Sequence, residues 1–497
     1  MTHRIGRLPA LLLTGSLLLT IGFAVPEAHA APEDNWVLTW SDEFDGTDVD
    51  ESKWGFDTGN WILDAKGNPI TNGWGNNEKE YYKQENATVA NGILSLTAKQ
   101  EAVHDPVQGD FDYTSAKLLT KGKFSTCYGR IEVRARMDTG ASLWPAIWML
   151  PEEQVYGAWA TSGELDIMEG LGSRPSDLCG TIHFGDVWPN NTYLTKEYTL
   201  PDSTVSDWHT YAIEWEAGEI RWYADDVLYS TQTNWYAVNR TFPAPFDQNF
   251  YLILNLAVGG HFDGVGDGTQ ADPTLFANGA QKQMQVDYVR VYQKDGKQTI
   301  PVKPSQPAMT LYAMEGGNAT LQNYDDRSVA EVLASGSQTY SVMLAKECIP
   351  MTAGVPYTIS FSVAASTKRP VLVTLEDAAY NRLLSETIQA DTTPMQYAFT
   401  VTPEQTDSLD FKLQLGNLGE GTPTAAHTVT LSGLSITPAG QTGDCNGDGS
   451  VNAADAAVLR DFLCCKGELP QAAHADCNAD GRINALDLTL LKRLLLQ

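Results

Sequence analysis

Residues 164–169 read Glu164-Leu165-Asp166-Ile167-Met168-Glu169, three carboxylates threaded through apolar residues. Burying carboxylates is costly unless something nearby compensates them. In a β-strand successive side chains alternate faces. Glu164 and Asp166 therefore share one side, and Leu165 and Ile167 point into a core. Glu169 is five positions after Glu164, an odd step, so a regular strand would turn it away. One extra residue at Ile167 or Met168, a β-bulge, returns it to the side of the other two. Three acids gathered on one strand face predict a cleft that breaks glycosidic bonds, where one carboxyl attacks and another donates a proton.

The surroundings fit that prediction. All 13 tryptophans fall between Trp36 and Trp235. Sugars present flat apolar C–H faces, so glycan clefts are lined with aromatics. Trp74, Trp144, Trp148 and Trp159 are the candidate platforms, with Trp144 and Trp148 on one face by parity. Trp208, Trp215 and Trp222 lie in runs with strand character and are expected in the core.

The same composition shift marks a boundary. Lys294 to Pro307 is polar and Pro-containing and reads as a linker, as does the Pro-Ala-Gly-Gln-Thr-Gly run at 438–443. The expected division is a leader at 1–30, a catalytic unit at 31–298, a linker at 299–307, a second unit at 308–437, a linker at 438–443 and a last module at 444–497. Short β-branched and aromatic runs such as Ile93–Ala98, Gly129–Arg136 and Phe250–Leu256 predict one large antiparallel sandwich in the first unit. The second repeats that pattern on a smaller scale, as in Tyr357–Ala364 and Leu409–Leu415. Ala453–Cys465 and Ala485–Leu496 change to helical spacing. The fold class is mostly β, with a small α-helical end.

The chain carries 33 basic and 62 acidic side chains, a net charge of −29. That argues against nucleic acid or an anionic membrane as partner. Arg4 and Arg7, the apolar stretch Leu8 to Val25 and Ala28-His29-Ala30 form a secretion signal with cleavage expected after Ala30, leaving no membrane span. The seven cysteines cannot all pair within one chain. Cys445, Cys464, Cys465 and Cys477 have the composition for one or two bridges in the last module.

That module holds an internal repeat. The run Asp444 to Asp455 (DCNGDGSVNAAD) recurs 32 residues later as Asp476 to Asp487 (DCNADGRINALD). Oxygen ligands at loop positions 1, 3, 5 and 12, with glycine at 6 and a backbone carbonyl at 7, suit Ca2+. The ligand sets are Asp444, Asn446, Asp448, Ser450 and Asp455, then Asp476, Asn478, Asp480, Arg482 and Asp487, with Ser450 and Arg482 contributing carbonyls. Each loop precedes a helix, which is half of a helix–loop–helix hand. Two such halves resemble a type I dockerin over 444–497. The resemblance implies calcium-dependent folding and a cohesin module of a scaffold protein as partner, contacted through Ala453-Ala454 and Ala485-Leu486.

Residues 36–293 resemble family 16 glycoside hydrolases of the laminarinase-like branch. The resemblance runs through Trp40-Ser-Asp-Glu-Phe44, Gly73-Trp-Gly-Asn-Asn-Glu78, Gly129-Arg-Ile-Glu-Val-Arg134, Leu143-Trp-Pro-Ala-Ile-Trp-Met-Leu150, Gly163 to Glu169, Thr181-Ile-His-Phe184 and Val286-Asp-Tyr-Val-Arg-Val-Tyr292. It implies a β-jelly-roll sandwich with an open cleft and retaining endo-hydrolysis of β-1,3-glucan, with some action on mixed β-1,3-1,4-glucan. Glu164 would be the nucleophile, Glu169 the acid/base and Asp166 their modulator. His183 and Asn77 would face the sugar, with Glu80 a weaker candidate. A structural calcium would sit at Asp287 with backbone oxygens near Glu43 and Gly92. Gly170 and His261-Phe262 depart from the family pattern and bear on substrate preference. The alternatives are a non-catalytic β-glucan-binding protein, or a hydrolase of agarose or carrageenan. By position and pattern 308–437 resembles a carbohydrate-binding β-sandwich, with Tyr312, Tyr324, Tyr340 and Tyr380 available for stacking.

Overall fold

A computed structural model describes residues 35–63, 69–299, 301, 304–438, 443–447, 451–464, 466, 467, 469–475, 477 and 483–495. The leader, most of the second linker, Cys465 and the loop residues Asp448, Ser450, Asp476, Asn478, Asp480 and Arg482 lie outside them.

Two antiparallel-rich sheets make the first unit. One has ten strands and includes Gly129–Met137, His209–Glu216 and Gln281–Lys294. The other has seven, in the spatial order Thr192–Thr199, Asp177–Phe184, Glu164–Gly170, Leu143–Pro151, Phe250–Val258, Lys117–Leu119 and Gly55–Asp57. Leu94, Ile131, Val133, Ile147, Leu165, Trp215, Trp222, Leu254 and Val289 fill the space between them. Alternation decides which residues go there. In Leu143–Pro151 the core takes Leu143, Ile147 and Met149, while Trp144 and Trp148 face outward on the seven-stranded sheet. This is the sandwich that the strand pattern and the family resemblance predict.

Trp215 and Trp222 are core residues, as expected, but Trp208 is not. It precedes its strand and lies half-buried beneath the guanidinium groups of Arg134 and Arg136, each 4.9 Å from the ring. A cation over an indole face keeps the ring at the surface.

The second unit is a pair of five-stranded sheets around its own core of Val332, Leu344, Ile359, Phe361, Val373, Phe411 and Leu431. It meets the first unit at a polar contact. Arg240, whose side chain is fully buried, pairs with Asp325 at 3.3 Å and lies 5.3 Å from the Tyr156 ring. Thr241 donates to the same carboxylate through its backbone N–H and hydroxyl. The last module packs the helices Ala453–Leu463 and Ala485–Leu494 around Cys445, Leu459, Ala475 and Leu491. Among the described residues no helix is long and apolar enough to cross a membrane.

Candidate active site

The strand Glu164–Gly170 carries the bulge. Against Leu143–Pro151, Trp148 faces Asp166 and Ile147 faces Met168, which leaves Ile167 without a partner. On the other side Asp166 faces Thr181 and Glu169 faces Cys179, so two residues oppose Gly180 alone. Leu165, Ile167 and Met168 are all buried in the core, and the three carboxylates emerge on the open face. The kink is anchored from the opposite sheet, where Trp222 donates its indole N–H to the Asp166 carbonyl at 2.8 Å. Gly180 makes room for that indole. A Cβ there would stand 2.3 Å from Trp222 Cδ1.

Each glutamate has its own indole donor. Trp159 Nε1 donates to Glu164 Oε2 at 2.8 Å, and Trp144 Nε1 donates to Glu169 Oε1 at 3.2 Å. The second oxygen of Glu169 accepts from the Cys179 thiol at 3.8 Å, and the Thr181 hydroxyl stands 3.5 Å from it. His183 Nε2 lies 3.6 Å from Asp166 Oδ2 and 3.8 Å from Glu164 Oε1. Asp166 is the most deeply buried of the three at 3% exposure.

Crowding sets the acidity. Burial pushes Glu164 up to about 7, against the Trp159 hydrogen bond and the Lys117 charge. Burial and the Glu164 charge push Glu169 up to about 7, opposed by His183, Trp144 and Cys179. Burial, with Glu164 and Glu169 on either side, pushes Asp166 well up. Three coupled carboxyls cannot all be charged at once, so they titrate as a group. Burial pulls His183 down, which favours its neutral imidazole.

The other predicted residues are distributed as follows. Trp148 lies on the same face and donates to Asn255 Oδ1 at 2.7 Å. Trp74 packs 5.7 Å from Tyr82, and its indole N–H reaches the Gly59 carbonyl. Asn77 is exposed and bonded to His261 Nε2 at 2.7 Å, while Phe262 stacks on Trp144 at 4.9 Å. His261 and Phe262, which with Gly170 depart from the family pattern, thus lie beside predicted site residues. Glu80 is a correction: it is fully buried, with Oε2 accepting from the Val258 N–H, and cannot meet a sugar.

Sequence reasoning missed Lys117, Cys179 and Thr181. The Lys117 ammonium lies 3.9 Å from the Trp74 ring and 5.1 Å from the Trp148 ring, paired with Asp57 at 3.3 Å. A cation held between two platform indoles is a three-dimensional fact, with no motif to announce it. Cys179 and Thr181 had a signal, since they sit four and two positions before His183 on a hairpin partner of the acidic strand.

Of the predicted calcium ligands, Asp444, Asp455 and Asp487 are fully buried. Asp455 accepts from the N–H groups of Asn446 and Asn452, and Asp487 from those of Cys477 and Asn484. Buried carboxylates at loop ends are the donor chemistry a hard divalent cation needs, so the residues fit Ca2+. In the first unit the Asp287 carboxylate pairs with Arg134, and the Glu43 carboxylate with Arg290. Gly92 lies in the turn before Ile93–Asp105, with φ +76°.

Two family models match. Glycosyl hydrolases family 16 covers residues 75–290, and the Dockerin type I domain covers 442–496. Glucan endo-1,3-beta-glucosidase A1 of Niallia circulans is 43% identical over 52% of this chain, which spans only 38% of that protein. The Beta-glucanase of Rhodothermus marinus is 42% identical over 52% of this chain and 85% of its own length. The solved laminarinase catalytic domain of Thermotoga maritima MSB8 is 39% identical, covering 52% of this chain and 99% of that one, with a TM-score of 0.45. The bulged acidic strand thus sits in a sequence whose relatedness extends along the whole sandwich: the chain belongs to family 16 of the glycosyl hydrolases and carries a type I dockerin domain at its C-terminal end.

Proposed function

We propose that this chain is a secreted, retaining endo-hydrolase of β-1,3-glucan, with some action on mixed β-1,3-1,4-glucan. The observation that carries the reading is the gathering of Glu164, Asp166 and Glu169 on one open face, each glutamate held by its own indole donor. The names of the relatives supply the substrate class.

The chemistry follows from the geometry. Trp159 binds one oxygen of Glu164 and leaves Oε1 to attack the anomeric carbon. Glu169, kept protonated near neutrality by burial and its neighbours, gives its proton to the departing glycosidic oxygen. A glycosyl-enzyme forms on Glu164. The Glu169 carboxylate then takes a proton from water, which releases the sugar with retained configuration. Asp166 holds a proton between the two glutamates and orients Glu164. The aromatic walls Trp74, Trp144, Trp148 and Trp159 position the chain, with Asn77 and His183 bonding its hydroxyls.

Ca2+ would be held by Asp444, Asn446, Asp448, Ser450 and Asp455, and by Asp476, Asn478, Asp480, Arg482 and Asp487, neutralising buried charge so that the module folds. That module would seat the enzyme on a cohesin of an extracellular cellulosome scaffold. A further structural Ca2+ at Asp287, with carbonyls near Glu43 and Gly92, completes the proposal. The unit at 308–437 is read as carbohydrate-binding.

Incubation with laminarin, followed by reducing-sugar assay and proton NMR of the first products, tests the reaction. Release of the β-anomer first, with loss of activity in Glu164→Gln, is expected. An α-anomer first, or undiminished activity in that variant, overturns the assignment. A non-catalytic glucan binder would leave laminarin intact. An agarase or carrageenase would act on those polymers instead.

A further inference from the structure

The acidic strand is third in the spatial order of the seven-stranded sheet. Asp177–Phe184 and Thr192–Thr199 lie on one side of it, and four strands lie on the other. Trp144 and Trp148 stand on the four-strand side. Trp74 joins them there, since the Lys117 ammonium lies between its ring and that of Trp148. Cleavage inside a polymer requires sugars to be held on both sides of the broken bond, and contacts remote from that bond help to position it. A chain that crosses the carboxylates from these platforms continues over the two-strand side.

What it meets there is aromatic and open to water. Glu164 faces His183 in the register, and His183 faces Tyr193. Directly opposed residues share a face, so the three form one row across the open surface. Leu194 packs against the core, which turns Tyr193 outward at 58% exposure. The His183 ring lies 5.7 Å from Trp159 and 5.5 Å from Tyr193, so rings lead from the Glu164 carboxylate to the edge strand at spacings comparable to a sugar ring. The loop between the two strands adds Trp188, which is 71% exposed. Its backbone N–H donates to the Trp159 carbonyl at 3.1 Å, which ties the loop to the segment that carries the Glu164 donor. Large rings this exposed, gathered at one end of a reaction cleft, mark a binding surface. On the same strand face as Tyr193, Thr195 shares a hydroxyl hydrogen bond with Thr181, and Glu197 is paired with Arg174 at 3.0 Å. These side chains call for no charged ligand.

We propose that Tyr193 and Trp188 are stacking platforms for neutral β-1,3-linked glucose units on the far side of the scissile bond from Trp74 and Trp148, and so determine how strongly the enzyme prefers long chains. The proposal rests on reading this chain as an endo-hydrolase of β-1,3-glucan, and it supplies the half of the cleft that the predicted platforms on the four-strand side do not cover.

The test measures kcat/KM of the full chain on laminarin and on a graded series of β-1,3-gluco-oligosaccharides. In Tyr193→Ala and in Trp188→Ala the loss should grow with chain length. The ratio of kcat/KM on laminarin to that on the shortest oligomer cleaved should fall about fivefold, mainly through KM. Tyr193→Phe, which keeps the ring, should restore the ratio. A ratio that stays at its original value in both alanine variants overturns the proposal. So does an equal loss at every length, which would place the two residues in folding or in the chemical step. The reading beneath it fails in a different way: the unaltered chain would leave laminarin and every oligomer intact, and the proposal would fall with it.

Discussion

Glu169 is gripped by two small donors, the Trp144 indole and the Cys179 thiol, so its acidity can be changed one atom at a time. Both favour its anion, so removing either raises its pKa. The alkaline limb of kcat/KM, which reports loss of the acid's proton, should then move upward in Cys179→Ala by up to about one pH unit, and stay in place in Cys179→Ser. A pH–rate series on laminarin reads this directly. Burial itself pushes the Cys179 thiol up to about 12, so the group acts as donor and not as nucleophile. Glu80 offers a stability counterpart. Burial and the Glu78 charge hold its carboxyl well above the usual range in the folded state. The unfolded chain releases that proton first, so stability falls as pH rises from about 4.5 toward the folded value. Glu80→Gln should flatten this decline, with a larger gain in melting temperature at pH 8 than at pH 5. The gathering of Glu164, Asp166 and Glu169 on one face was legible because parity along a strand is arithmetic. Lys117 was not, because its place between two indoles exists only in the fold, and the parity signal at Cys179 went unread.

A single surplus residue in one strand organises the element scale. In a regular strand without the bulge, these six residues would turn Glu169 into the core. Deleting Ile167 puts Glu169 four positions after Glu164, an even step that keeps both on the open face, so hydrolysis should survive in part while circular dichroism still reports a β-rich fold. Complete loss would mean that the bulge sets the spacing of the two carboxyls and not only their face. The bulge could be read from the sequence, since three acids cannot otherwise share a face. Its anchoring by Trp222 from the far sheet, with Gly180 making way, could not. Strand positions were visible in short β-branched and aromatic runs such as Phe250–Leu256, which is buried throughout. Trp208 failed because composition cannot distinguish a core indole from one capped by two arginines.

At the scale of the whole molecule three cores are separate, and each can be perturbed alone. Chelation with EDTA should lower the melting transition of the C-terminal module and abolish cohesin capture, leaving laminarin hydrolysis nearly unchanged. Loss of hydrolysis in parallel would point to a calcium in the sandwich. Pro-containing polar runs and the point where the tryptophans stop lead the sequence reader to expect breaks between units. The clasp of Arg240 on Asp325 gives no such signal, since the two lie 85 positions apart in different sandwiches. Asp325→Ala should cost about 2 kcal/mol, less than a fully buried pair because Asp325 is 40% exposed.

That clasp has a practical corollary. Tyr156, under the Arg240 guanidinium, stands three positions before Trp159, whose indole donates to the Glu164 carboxylate. Shortening the gene to end at residue 299, as one would to isolate the hydrolytic half, strips a sealed cation of its counter-ion at the root of that loop. Such a fragment should inactivate at a lower temperature than the intact polypeptide.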